Sequence, residues 1–586
     1  MARFYDFAGQ KIIIPGSYSK RSFPEEQGAG AVRGRVVIMG EATRGGIPYN
    51  AYDDIEDVLN VADGQAEALE AFGGGDVYYG AEFFLSPTKD ERFSTPSRAE
   101  CIVVNQMTQA TTKLLSGSDE IIDVAMKKFG IDGNTAAIKV SSGSNTGKLI
   151  QMNYKGIEVL KQDDVTLELM SIRYTGAAVT ATMTITATKL TTSSAAVAAD
   201  DLDITLADFS DMGSLINFIN AQANYTCLLT GKSDEKVNVF DAVTAQDIKT
   251  ADYNCVGITE AIIRLLNGTD VLDVELTTGA ARDVITDMAE YQYLAGGTVS
   301  NATTADWIAA LVKLEDYDLN CIVAMTGSET IQNLVAEHTE RMNEVKTKKY
   351  RQSGFGAGST ANTKALRIAQ MKSLNAANVE YCVSSFERID YVTGEVKSFD
   401  PYYLYALVAG LRYANKIGMD VVFKYLNVLS TPKMSLKDME DYAAAGGTLI
   451  QKTVNVNNIS QFEIKVNNST FQGSQVTRTN PSVVYSINYL TKDYEERVKA
   501  EIASLDEVAN SVIIAKIQNW IVTYLFPYYR DSEKLITDGP DGQKAFDNVS
   551  FTQVGEQFTT NATLTMSVTP RFAFNFFTFI VPGQKV

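Results

Sequence analysis

The alternating strand and helix text of this chain breaks off near Gly130 and resumes near Ala281, and this interruption is what most limits the fold. Before it, "GRVVIMGEA" predicts a buried strand over Arg35 to Met39. Ile55, Val58, Leu59 and Ala62 fall at helical spacing and predict one helix over Asp53 to Phe72, with acids in its first turn. The run beginning at Cys101 reads as another buried strand. After the break, a helix near Ala305 to Leu314 leads to the strand "CIVAM", a second helix covers Ser328 to Lys346, and "YCVSS" from Tyr381 is a strand. Strands alternating with helices on both sides of a foreign tract describe an α/β domain carrying an insertion.

The tract itself, up to about Thr278, is rich in Thr, Ala and Val. From Val179 to Ala187 the pattern has period two: Val179, Ala181, Met183, Ile185 and Ala187 share one face, and threonines line the other. That is a half-buried strand. A helix over Met212 to Ala223, with Leu215, Ile216 and Ile219 inward, is expected to cover one face of this β-rich insert. The glycine-rich "GFGAGST" from Gly354 to Thr360 reads as a flexible loop, and "KTKKYR" from Lys346 to Arg351 as a solvated one.

The two ends read differently again. Near the start, Lys11 to Ile14 form a short β-prone segment before a Pro15-Gly16 turn, with too little apolar surface for a core of its own. Near the end, a long amphipathic helix is predicted over Tyr494 to Leu525, with Val498, Ile502, Leu505, Ala509, Val512, Ile517 and Ile521 on one stripe and Pro527 ending it. Two alternating segments follow, "TNATLTMSV" and "RFAFNFFTFIV". In the second, Phe572, Phe574 and Phe576 lie on one face and Phe577, Phe579 and Val581 on the other. An open strand of this kind needs a partner, because its free edge would aggregate.

At 586 residues the chain is too long for one core. Its formal charge of −19 argues against a general nucleic-acid-binding role, since phosphate neutralisation needs a basic surface. Five cysteines, Cys101, Cys227, Cys255, Cys321 and Cys382, lie far apart without a CxxC pair, which fits a reducing compartment. The opening residues lack a secretory-signal pattern and no run of about 18 uncharged apolar residues occurs, so cytoplasmic production without membrane insertion is expected.

Chemistry is sparse. A single histidine, His338, leaves no His-cluster zinc site, and its place in a predicted helix fits a surface or interhelical polar role. "SSGSNTGKL" ends like a phosphate loop, but Ser142 stands at the first required glycine and Leu149 where Ser or Thr should follow the lysine. "GAGAVRG" from Gly28 to Gly34 precedes the strand that a dinucleotide fingerprint should follow, and reads as a linker. "DGPDGQKAFD" from Asp538 has turn order rather than calcium-loop spacing. No enzyme activity, cofactor or metal is expected.

The order of these features is similar to that of the tail sheath proteins of contractile-tailed bacteriophages and related contractile injection machines. "IIIPGSYSKRSF" resembles the family's Pro-Gly-x-Tyr arm and "VVIMGEATRGGIPYNAYD" the strand and loop after it. "YLAGGTVSNATTADWIAALVKLEDYDLNCIVA" resembles its Leu-x-Gly-Gly segment, helix and strand. "SFDPYYLYALVAGLRYAN" resembles its central helix, "RTNPSVVYSINYLTKDYEERV" its tyrosine-rich lead into the long helix, and "SVTPRFAFNFFTFIV" its closing strand.

The resemblance implies an α/β and α+β multidomain fold. Its parts would be an N-terminal linker arm (1–24), an α/β sheath domain in two stretches (25–140 and 281–480), a β-rich inserted outer domain (141–280), a C-terminal tube-facing core domain (481–570) and a C-terminal strand arm (571–586). It also implies a virion protein assembled in the host cytoplasm. The protein would polymerise with itself as stacked hexameric rings around an inner tail tube protein, between baseplate and tail terminator proteins, and would contract to drive the tube through an envelope. The arm residues are then Ile12, Ile13, Ile14, Tyr18, Phe572, Phe574, Phe576, Phe577 and Phe579. Tube-facing cations would be Lys492, Arg497, Lys499 and Lys516. Competing readings are another tail structural protein, a carbohydrate-binding surface protein acting through the insert, and an enzyme dependent on His338.

Overall fold

The computed structural model describes residues 5–7, 10–12, 34–344, 347–454, 460–503, 511–538, 542, 544–554 and 561–568, with the backbone alone described in both terminal hairpins apart from Phe546. The chain divides into two compact units, one of residues 1–37, 83–97 and 314–586 and the other of 38–82 and 98–313.

In the first unit, strands Cys321–Ala324, Gln352–Gly356, Val379–Cys382 and Gly447–Val454 lie side by side in that order and run parallel. Every residue of the first three is buried, so none alternates, although only Cys321–Ala324 reads as an unbroken apolar run. Helices Glu329–Met342 and Lys364–Leu374 make the connections between them. Strand Ser460–Val466 joins antiparallel to Gly447–Val454. Its outer edge is closed by Phe423–Leu426: Phe423 and Leu426 donate to the Ile464 and Phe462 carbonyls at 2.9 Å, and the Ile464 N–H reaches the Lys424 carbonyl at 3.0 Å.

Helix Pro401–Tyr413 starts on a proline, which has no N–H to orphan in the first turn, and is buried on nearly all sides. This burial overturns the loop expected at Gly354 to Thr360, whose first three residues complete the central strand. A Cβ on Gly354 would fall inside the ring of Tyr405, and one on Gly356 would lie 2.6 Å from the carbonyl oxygens of Cys382 and Pro401. These glycines are present because a helix lies directly on the strand. The basic run before that strand is also misjudged by the solvated-loop reading. Arg351 is 1% exposed and donates to the carbonyls of Leu314 (2.9 Å), Tyr317 (3.1 Å) and Lys349 (3.1 Å).

The second unit is mostly antiparallel. Strands Met107–Ser116 and Asp119–Phe129 form a hairpin flanked by Leu272–Leu276 and Thr298–Val299. Strands Ala137–Ser142, Lys148–Tyr154 and Ile157–Val165 form a meander closed by Gln292–Tyr293. Helix Ile258–Asn267 places Ile258, Ile262, Ile263 and Leu266 into the core that these strands share. A second core lies within residues 169–255. It is built from Ala181–Ile185 and its neighbours, from Glu168–Tyr174 with Tyr225–Leu229 and Tyr253–Val256, and from helix Met212–Asn220. That helix opens on an Asp211 and Ser214 capping box and buries Leu215, Ile216 and Ile219 as expected. Ala181, Met183 and Ile185 are buried too, but the strand starts two residues later than expected and leaves Val179 86% exposed.

One helix predicted as continuous is interrupted. The stretch Asp53 to Phe72 forms helix Ile55–Val58, strand Asn60–Ala62 and helix Gln65–Phe72. Asn60 is taken from the helix by two bonds: its side-chain oxygen accepts from Ile47 N–H at 2.7 Å and its amide donates to the Ile47 carbonyl at 2.8 Å, while Asn60 pairs with Cys101. The long C-terminal helix begins earlier than expected, at Pro481, and the described helical stretches are Pro481–Ala503 and Ser511–Trp520. Leu505 and Ala509 lie outside the described residues. Val512, placed on the apolar stripe by its spacing, is exposed, whereas Ile517 and Ile521 are buried. Pro527 does not end the helical path, which runs on through π-type turns at Ile521–Leu525 and Tyr528–Ser532. A proline supplies no N–H to either ladder, and a widened turn on each side accommodates it.

Candidate assembly surfaces

Two short hairpins stand near the ends of the chain. Tyr5–Phe7 pairs antiparallel with Gln10–Ile12, matching Tyr5 to Ile12 and Asp6 to Lys11. Phe546–Val554 pairs with Asn561–Val568, the segment singled out by its alternation. Among the described residues each is a two-stranded sheet. Such a ribbon is marginal alone in water, and its outer N–H and C=O groups can accept further strands. Of the predicted arm residues, Ile12 closes the first hairpin, while Ile13, Ile14, Tyr18, Phe572, Phe574, Phe576, Phe577 and Phe579 lie outside the described residues.

Helix Pro481–Ala503 carries the C-terminal part. Asn480 precedes it, its side-chain oxygen accepting from Ser482 N–H at 2.9 Å and its amide donating to Asp420 at 3.0 Å. Further along, buried Asp493 gathers Arg497 Nε (2.7 Å) and the Tyr529 hydroxyl (2.8 Å), tying the helix to the π-type turns. Phe526 stacks between Tyr494 and Phe546, at ring separations of 6.4 and 5.0 Å, and so links helix to hairpin.

The four predicted tube-facing cations separate. Lys492 is buried and ion-paired with Asp318, and Arg497 is half-buried, held by Asp493 and lying 4.9 Å above the Tyr528 ring. Lys499 and Lys516 are exposed. All four belong to the C-terminal helical stretch in the sequence, which does not show which cations the fold uses internally.

All five cysteines are buried and free, and burial raises their thiol pKa, to about 12 at Cys227 and Cys321. No three His, Cys, Asp or Glu side chains among the described residues are grouped to hold a metal. No helix among them is long and apolar enough to cross a membrane.

His338 is buried in helix Glu329–Met342, its Nε2 3.4 Å from Arg351. Burial first, and then the charges of Arg351 and Arg341, lower its pKa from 6.5 to about 3. The folded protein therefore keeps the ring neutral where an unfolded chain would take up a proton. Its contribution to stability is complete above pH 6.5 and is lost as pH falls toward 3, at about 1.4 kcal/mol per pH unit. Urea titrations between pH 7 and 4 should show this slope in the native sequence and a shallower one in His338→Gln.

One polar group was missed by sequence reasoning. On the buried strand Val379–Cys382, Glu380 forms a two-pronged pair with Arg412 of helix Pro401–Tyr413, with one bond at 2.9 Å. Asn467 bridges both, accepting from Arg412 at 2.8 Å and donating to Glu380 at 2.7 Å, and the Tyr405 hydroxyl donates to Glu380 at 3.2 Å. The available signal was Arg412 itself, a cation in an otherwise apolar helix.

No family model matches the chain. A tail sheath protein of Bacillus phage SP01 is 23% identical over 548 residues, covering 88% of this chain and 90% of that protein. Two solved structures share the fold. The sheath tail protein from Desulfitobacterium hafniense has a TM-score of 0.50 at 12% identity, covering 94% of this chain and all of its own. The one from Listeria innocua has 0.52 at 12%, covering 92% and 96%. The chain is similar to tail sheath proteins in sequence and in fold. The mixed α/β and α+β architecture expected from the sheath resemblance is the one found.

Proposed function

We propose that this protein is the structural subunit of a contractile phage tail sheath, polymerised as stacked hexameric rings around an inner tail tube. The observation that carries this reading is the near full-length match to a phage tail sheath protein. The shared fold supports it, as does the two-stranded hairpin within the N-terminal arm. Residues 1–24 and 571–586 are the arms, and each lends strands to a neighbouring copy. Backbone hydrogen bonds then hold rings together while the subunits rotate. Residues 141–280 project outward, and residues 481–570 face the tube.

Contraction exchanges a smaller set of contacts between subunit bodies for a larger one, so the work comes from surface buried and charges paired, with no nucleotide and no catalysis. The extended form is a kinetically trapped state. Lys499 and Lys516, the two of the four cations that stand exposed, carry the tube contact. The ends of the tube of rings meet the baseplate and tail terminator proteins. The assembly forms in the host cytoplasm and leaves in the virion.

Negative-stain microscopy of the purified chain should show wide, ridged, hollow cylinders. Deleting 1–20 or 572–586 should leave a soluble, folded monomer that forms none. Normal cylinders from either truncation would remove the arm assignment. Solid fibres or isolated rings from the full chain would favour another tail structural protein, such as a tube or baseplate component.

A further inference from the structure

The chain is fixed at Gly34 and Arg35 by residues from two separate parts of the first unit. The Arg35 backbone is held on both sides: its N–H donates to the Asn320 side chain at 2.9 Å, and its carbonyl accepts from Asn320 N–H at 2.8 Å. Its guanidinium lies 4.0 Å over the ring of Tyr317 and donates to that residue's hydroxyl. Gly34 has φ +67°, and a Cβ there would sit 2.5 Å from the Tyr413 carbonyl oxygen, so only glycine fits. Its N–H donates to the Tyr485 hydroxyl at 3.3 Å, and the Tyr485 ring packs against Tyr413 at 4.7 Å.

Tyr485 belongs to helix Pro481–Ala503. The loop that supplies Tyr317 and Asn320 also supplies Asp318, which pairs with Lys492 of that same helix. Arg351, buried, shapes this loop by donating to the carbonyls of Leu314 and Tyr317.

We propose that Gly34 and Arg35 form a load-bearing clamp: tension entering through the N-terminal segment stops there and passes through Tyr485, Tyr317 and Asp318 into helix Pro481–Ala503. This rests on the sheath reading for its purpose, since only a lattice linked by arms would load that segment. The clamp itself belongs to the monomer and is testable there. Three different interactions converge on two residues, and two of them lead to one helix, which an ordinary chain entry into a strand does not require. Each is modest alone, so they resist a pull only by acting together.

The test is constant-force pulling on the full-length monomer, with one handle at the N-terminus and the other at Lys433, which is exposed. Arg35→Ala should raise the rate of first rupture roughly tenfold, and Tyr485→Phe, which keeps the ring and removes the hydroxyl, should raise it several-fold. The melting temperature of Tyr485→Phe should stay within about 3 °C of the native value. Arg35→Lys should recover part of the resistance, because a lysine keeps the cation over Tyr317. Rupture rates unchanged in both Arg35→Ala and Tyr485→Phe would overturn the clamp, as would a rate increase matched by loss of thermal stability in Tyr485→Phe. Failure of the full chain to form cylinders would count against the sheath reading and leave the pulling result standing.

Discussion

Glu380→Gln should destabilise the protein by about 3 to 5 kcal/mol, because it leaves the Arg412 guanidinium buried without a counter-charge. Denaturant melts should show an early transition. The loss should be confined to the single replacement. Glu380→Leu combined with Arg412→Met removes both charges and keeps apolar volume, so it should recover most of the lost stability, as buried pairs replaced together commonly do. Asn467 and Tyr405 would then lack partners, and that should limit the recovery. A double variant as unstable as the single one would mean that the pair holds the helix in place by geometry rather than by charge.

Gly354→Ala should be the most damaging of the small changes. The added methyl falls within the Tyr405 ring, and neither partner can retreat: Gly354 sits on a strand with neighbours on both sides, and Tyr405 lies on a helix buried on nearly all sides. Overpacking of this kind costs about 1 to 3 kcal/mol, and more where the backbone is confined. Tyr405→Leu by itself should cost stability by opening a cavity. Joined to Gly354→Ala it should cost less than the sum, since each change supplies or uses the space of the other. Strict additivity in thermal melts would show that the helix shifts as a body instead.

The same glycine shows where the sequence was legible and where it was not. Runs such as Cys321–Ala324 and the alternation of Ala181, Met183 and Ile185 are local patterns, and the strands they predict are present. "GFGAGST" carries no such pattern, and its strand is visible only once the helix beginning at Pro401 is known to lie across it. Arg351 failed for a related reason: two of its three carbonyl partners belong to residues more than thirty positions earlier, and carbonyls leave no mark in composition. Asn60 broke a predicted helix by bonding the backbone of Ile47, again a choice made by tertiary contact over local propensity. For the candidate site, the alternation of Asn561–Val568 was readable as a strand. The separation of Lys492 and Arg497 from Lys499 and Lys516 was not, because helical spacing says nothing of what lies opposite.

The covered edge at Ser460–Val466 has a consequence for how copies of this protein meet. With Phe423–Leu426 already bonded along it, that side of the parallel sheet has no vacant rung at Phe462 or Ile464 for an outside strand. If copies exchange strands as proposed, they do so away from this edge. A polymer joined in that way can shift its subunits without prying open the body of any one of them, much as a chain-link fence flexes at its loops while the wire stays whole.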